Sequence, residues 1–268
     1  MAVVKIALGV EYFGGHFRGW QSQAGGRTVQ DALESALARI ATERIGVLCA
    51  GRTDAGVHAL HQVVHFETQV KRPLSAWVRG VNSHLPEGVS VRWAQPVAGD
   101  FHARFCAHAR RYRYLLLNRP QRPGVWGGRV GWFHLPLNLA AMQEAANYLL
   151  GEHDFSAFRA AECQAKSPQK IMTRAEVRQM GSMFVFDFEA NAFLHHMVRN
   201  LVGTLVYIGK GGYSPEWIKE LLQLKDRKFA APTFSPDGLY FRGPVYEERW
   251  QIPEPNDDLI DALLGAER

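Results

Sequence analysis

The chain has 268 residues, 47% of them apolar, which is enough to build one large domain or two small ones. Its 31 Lys and Arg exceed 26 Asp and Glu for a net charge of +5 and a pI near 9.2; the tail from Ile252 holds −4, leaving +9 on residues 1–251. That balance suits a polyanionic partner, although a generic basic surface has the same composition. Three scattered cysteines (Cys49, Cys106, Cys163) argue against a disulfide framework or a thiolate zinc site, and no apolar run is long enough to span a bilayer.

The N-terminus lacks a basic segment before its apolar run, which argues against a signal peptide, and a cytoplasmic setting is expected. Residues 5–12 alternate, with Ile6, Leu8, Val10 and Tyr12 on one side, and read as a strand. After a Gly-rich loop, Thr28 and Asp31 stand at capping-box spacing before Val29, Leu33, Ala36, Leu37 and Ile40, which predicts a helix of about four turns. Residues 45–51 and 62–68 read as strands around the polar loop RTDAGVHALH. A helix from Pro73 to about Leu85 and a strand over 89–97 complete the first half.

The second half follows the same order. A strand over 110–118 and a helix over 138–152 precede two strands, 169–180 and 183–190, that meet at Gly181-Ser182. Helices follow over 194–209 and 215–226, then a last strand over 238–246. Each half reads β-α-β-β-α-β. The expected fold is α+β: two ferredoxin-like halves forming an extended, largely antiparallel sheet flanked by helices, with a cleft between them. The expected boundaries are 1–105, 106–250 and an acidic tail, 251–268.

The most informative segment is AGRTDAGVHALHQVVHF, a strand, tight turn and strand with a carboxylate, Asp54, at the tip. Gly56 leaves the turn free to take positive φ. By itself, an Asp near a Gly is more often a turn former bonded to its own backbone. Three signals point away from special chemistry. His58, His61 and His65 lie in strand-like sequence, which scatters them, so no metal site is expected there. His195 and His196 precede an apolar helix, on which adjacent side chains do not face each other. Phe184, Phe186 and Phe188 read as core.

GRTDAGVHA closely resembles the active-site motif of the tRNA pseudouridine synthase A family. The resemblance extends to YFGGHFRGWQ, RRYRY, HDFSAFR, NAFLHHMVRNLVGTL and GLYF, so it spans nearly the whole chain. It implies an isomerase that converts uridine to pseudouridine at positions 38, 39 and 40 of the tRNA anticodon stem-loop, by base flipping, without cofactor or metal, as a cytoplasmic homodimer. Asp54 matches the essential aspartate, proposed either to attack the ribose C1′ or to assist another sugar intermediate. Arg52 matches an arginine near the flipped base, and Tyr112 a tyrosine that packs on the target uracil. Arg199 matches the partner of the carboxylate, and Leu239 an apolar wall of the uracil pocket. Phe241 stands where other members often have a smaller aliphatic. Arg18, Arg110, Arg111, Arg113, Lys166 and Lys170, with His16, Arg104 and Lys210, are candidate RNA contacts; Arg110, Arg111 and Arg113 straddle Tyr112, interleaving basic and aromatic residues. Two alternatives stay open: a non-catalytic RNA binder on this scaffold, for which Asp54 has no use, and a synthase with another RNA target.

Overall fold

The computed structural model describes residues 3–163 and 165–254, so most of the expected acidic tail lies outside the described residues. They form two compact units. The first takes residues 3–108 and 240–254, the second 109–239.

In the first unit the chain runs β1 (Val4–Tyr12), α1 (Val29–Ala41), β2 (Leu48–Cys49), β3 (His58–Thr68) and β4 (Val89–Val97). β1 pairs antiparallel with β3 on one edge and β4 on the other. Its alternation hides a strand covered on both faces. Ile6, Leu8 and Val10 are buried, and so is Ala7, while an added Cβ on Gly9 would meet the Trp93 indole at 2.1 Å. The glycine lets that ring approach the strand closely. α1 starts where the capping spacing places it: the Asp31 amide donates to Thr28 Oγ1 at 3.2 Å, and the Thr28 hydroxyl donates to Asp31 Oδ2 at 2.6 Å. Val29, Leu33, Ala36, Leu37 and Ala41 form its buried stripe.

Two elements differ from expectation. Only Leu48–Cys49 of the expected 45–51 strand pairs with β3. The expected 73–85 helix is a short helical segment with a π-helical turn over Ala76–Gly80, ended by Asn82, whose side chain bonds both the N–H and the C=O of Val91. Trp77 in that turn packs edge-on against Phe66, at 5.2 Å between ring centroids.

In the second unit come β5 (Ala109–Asn118), β6 (Gly131–Phe133), α2 (Leu139–Asn147), β7 (Gly151–Asp154), β8 (Gln169–Met180), β9 (Met183–Ala190), α3 (Met197–Gly209) and α4 (Trp217–Leu224). β9 pairs antiparallel with β5 and β8, and β7 extends the sheet beyond β8. The β8–β9 hairpin turns at Gly181, φ 58°. Short β6 and β7 carry too few residues to show a period. The buried faces of β9 include Phe184, Phe186 and Phe188, and α3 is buried along almost its whole length. Inside α3, Asn200 is satisfied by donating to the Phe158 carbonyl at 2.8 Å and accepting from Thr233 at 2.7 Å.

β10 (Leu239–Val245), expected to close the second half, belongs to the first unit from Tyr240 onward, where it pairs in parallel with β3 through Tyr240 and Phe241. No helix among the described residues is long and apolar enough to cross a membrane.

Candidate active site

The Asp54 turn in the first unit is held from three directions. At its entry, Gln62 on β3 donates to the Gly51 carbonyl at 2.6 Å and accepts from the Gly51 amide at 3.4 Å. In the middle, the Tyr12 hydroxyl at the end of β1 bonds Thr53 Oγ1 at 2.7 Å in a buried contact, and the Trp20 amide donates to the Thr53 carbonyl at 3.0 Å. At its exit, the Val57 amide donates to the Asp54 carbonyl at 3.2 Å, with Gly56 at φ 79°. This is a β-turn of the kind that needs a glycine third.

Neighbouring backbone comes unusually close. An added Cβ on Gly14 would lie 2.0 Å from the Val57 carbonyl oxygen, and one on Gly19, at φ 88°, would lie 2.8 Å from the Thr53 carbonyl oxygen. The glycines of YFGGHFRGW are therefore what lets that segment clasp the Asp54 turn. His58 completes the clasp: its Nδ1 accepts from the Gly14 amide at 2.9 Å, and its ring stacks between Phe13 and Tyr240. The result is a half-buried Asp54 side chain on a backbone with little freedom, two residues from an exposed Arg52. A carboxylate so placed can serve as nucleophile or electrostatic partner without a reorganisation cost.

The other histidines of β3 are buried. Burial, with the Arg92 charge, lowers His61 to about 4; burial, with His102, lowers His65 to about 4. His65 Nδ1 accepts from the Ala103 amide at 3.2 Å, a structural use for a neutral imidazole. Burial pushes the Cys49 thiol up to about 11, so it stays protonated at neutral pH.

The second unit carries most of the remaining predicted residues; His16, Arg18 and Arg104 lie in the first. Tyr112 is on β5, opposite Phe188 of β9, with its ring edge-on to Phe193 at 5.0 Å. Arg199 lies in the first turn of α3. Its Nε donates to the Phe234 carbonyl at 2.9 Å, and its own carbonyl accepts from the Phe234 amide at 3.2 Å, so both ends of the residue are fixed. Leu239 is buried at the start of β10.

The expected interleaving of Arg and Tyr on β5 is corrected in part by the pleat, which leaves Arg110 on the face of Tyr112. Arg111 and Arg113 point to one face and Tyr112 to the other. Arg113, 2% exposed, is locked to Asp187 by bonds of 2.7 and 3.2 Å, which removes it from the candidate phosphate contacts. Arg111 pairs with Glu189 at 2.8 Å, and Arg110 donates to the Asn191 carbonyl at 3.0 Å. Lys170 is likewise corrected: it is 8% exposed and donates to the Ser167 and Gln169 carbonyls at 2.6 and 2.8 Å. Lys166 and Arg18 are exposed. His195 and His196 precede the helix, as expected, but face each other. His196 caps α3 with φ 60°, and the two rings lie 4.0 Å apart.

Sequence reasoning missed Tyr12, Gln62 and His58 as supports of the turn. The only signal was polar side chains within otherwise apolar strands.

Sheets flanked by helices define an α+β fold, and its first unit presents Asp54 on a clamped turn. The chain belongs to the tRNA pseudouridine synthase family, whose model matches residues 8–106 and 145–247. It is 77% identical over 261 residues to a tRNA pseudouridine synthase A of Dechloromonas aromatica, covering 97% of this chain and all of that protein. Proteins of the same name from Polaromonas naphthalenivorans and Methylobacillus flagellatus are 59% and 60% identical, each over 93% of this chain and 96% of their own length.

Proposed function

We propose that this protein is a tRNA pseudouridine synthase that isomerises uridine at positions 38, 39 and 40 of the anticodon stem-loop, with Asp54 as the catalytic carboxylate. The observation that carries this reading is GRTDAGVHA on a turn clamped by Tyr12, Trp20 and Gln62, in a chain of this family.

The chemistry explains why few groups suffice. The N1–C1′ bond breaks, the uracil turns, C5 bonds C1′ and loses its proton, and N1 gains one. Reactant and product hold the same atoms, so the balance calls for no cofactor. C1′ becomes electron-poor as N1 leaves, and a carboxylate can bond to it or stabilise its charge. That is the role assigned to Asp54, with the Arg199 guanidinium as its charge partner in the reaction. Tyr112 offers a ring face to the uracil, Leu239 an apolar wall that limits water, and Arg52 a side chain near the base that leaves the stack. Flipping the uridine costs a few kcal/mol, which contacts to the rest of the tRNA offset. Of the basic candidates, Arg18, Arg104, Arg110, Arg111, Lys166 and Lys210, with His16, remain for that role. The reading includes a homodimer in the cytoplasm.

Unmodified tRNA tritiated at uracil C5 provides the test. Tritium release by the wild type and not by Asp54→Asn, mapped to the anticodon stem, is the expected result. Binding without release by either protein would leave an RNA binder, and release mapped elsewhere would give another RNA target.

A further inference from the structure

Residues 119–135, RPQRPGVWGGRVGWFHL, lead from the end of β5 into and past β6. Between Phe101 and Gln143 the chain has no Asp or Glu, and this loop places Arg119, Arg122 and Arg129 at its surface. The same loop exposes apolar side chains that a soluble surface normally hides: Val125 is 88% exposed, Trp126 46% and Trp132 37%.

The loop is built. Asn118 donates to the Phe133 and Leu135 carbonyls at 2.9 and 2.7 Å, closing its two ends. Trp132 Nε1 donates to the Arg119 carbonyl at 2.8 Å, which ties the second indole to the loop's start. Two further turns, Gly127 to Gly124 at 3.1 Å and Arg129 to Trp126 at 3.0 Å, hold the tip. A preorganised surface of this kind binds without a large ordering cost.

We propose that this loop is a second RNA-contact surface, in which Trp126 stacks on an unpaired base of the tRNA while Arg122 neutralises backbone phosphate. Aromatic faces interleaved with arginine suit bases presented in loops and single strands. The strongest competitor is a second copy of this chain. A two-fold contact centred on the loop would set Arg119 and Arg122 against their copies, and residues 101–143 of either copy supply no Asp or Glu. A polyanion meets no such penalty. Arg119 stands seven positions after Tyr112, just past the end of β5, which at about 3.3 Å per residue puts the start of the loop roughly 23 Å from the uracil-stacking position. The contact is therefore to tRNA beyond the nucleotide that reacts, and the inference rests on the tRNA reading above.

The test uses the full chain carrying Arg122→Ala and Trp126→Ala, both exposed positions. Pseudouridine formation on unmodified tRNA is followed at several salt concentrations, with sedimentation to read oligomeric state. The expected result is a KM raised about tenfold with kcat unchanged. The salt dependence of kcat/KM should flatten by about one phosphate's worth, and the mass should not change. Trp126→Phe alone, which keeps a stacking face, should stay within about twofold of wild type. An unchanged KM in the double variant overturns the inference, and so does a changed mass, which would mark the loop as a contact between copies. Should the wild type itself bind tRNA without converting it, the functional reading fails first. Filter binding would then judge the loop separately, with about tenfold weaker binding by the double variant expected and equal binding overturning it.

Discussion

The turn around Asp54 and the strand around Tyr112 are both crowded with chemically active side chains, but they organise them by opposite geometries. In the turn, residues 51–57 stay together in space because the chain reverses there and supports from outside, Tyr12, Trp20 and Gln62, grip successive positions. In β5 the pleat separates neighbours: Tyr112 goes to one face while Arg111 and Arg113 go to the other, where Glu189 and Asp187 take them up. Adjacency in sequence is thus a guide to a site in a turn and a poor one in a strand.

The sharpest way to break this comparison is at Asp187. It is buried and accepts from Arg113 at 2.7 Å and from Arg178 at 3.2 Å, so Asp187→Ala leaves buried guanidinium charge without its counterpart. Loss of one partner of a buried pair costs about 3–5 kcal/mol, whereas replacing both with apolar groups is often close to neutral. Urea unfolding should show that loss for Asp187→Ala and a recovery of most of it in Arg113→Met/Asp187→Leu. A single-variant loss below about 1 kcal/mol would mean that the strand's charged face is solvated and that Arg113 is open to phosphate after all.

β3, the strand that leads away from the Asp54 turn, makes a second contrast through its histidines. His61 and His65 sit near 4 in the folded chain because burial disfavours their charged form, against about 6.5 when unfolded. Both states are neutral above 6.5, so their contribution is complete there. As pH falls from 6.5 toward 4, only the unfolded chain takes up protons, and stability drops by about 1.4 kcal/mol per pH unit for each histidine. Unfolding midpoints at pH 7.5, 6 and 5 should follow that slope, and His61→Gln should flatten it. A flat wild-type profile over this window would show that these rings are hydrated.

The grip on the turn itself is tested by Thr53→Val. This change keeps the shape of the side chain and leaves the buried Tyr12 hydroxyl without its 2.7 Å partner, at a cost of about 1–3 kcal/mol. If the bond positions Asp54, kcat should fall more than tenfold with KM nearly unchanged, and Tyr12→Phe in the same background should restore part of it. Equal losses in stability with full kcat would leave Tyr12 as a core residue only.

The strands and helices were legible wherever a period ran long enough to be read. β4, β8 and β9 begin and end where the sequence pattern places them, and α1 starts at its Thr28 cap. β6 and β7, at three and four residues, were not legible, because pairing with β5 and β8 decides them and local pattern does not. The assignment of β10 was missed for a related reason: its partner, β3, is some 180 residues earlier, and nothing local to 239–245 encodes that choice. Of the candidate site, Asp54 stood out through its motif, while its supports did not, since a tyrosine or glutamine within a strand looks the same whether it holds a turn or fills space.

The smallest effect separates two lysines that are four residues apart and identical in charge. Lys166 is exposed, whereas the ammonium of Lys170 is desolvated and spends its protons on the Ser167 and Gln169 carbonyls. A lysine that neutralises a phosphate releases counterions and adds a little under one to the slope of log binding against log salt. Lys166→Ala should therefore weaken tRNA binding modestly and reduce that slope, with no change in melting temperature. Lys170→Ala should leave the slope alone and lower the melting temperature, because two part-buried carbonyls lose their donor. The reverse pattern would show that the segment around residue 170 opens when RNA binds, and that burial in the free protein is no guide to its contacts.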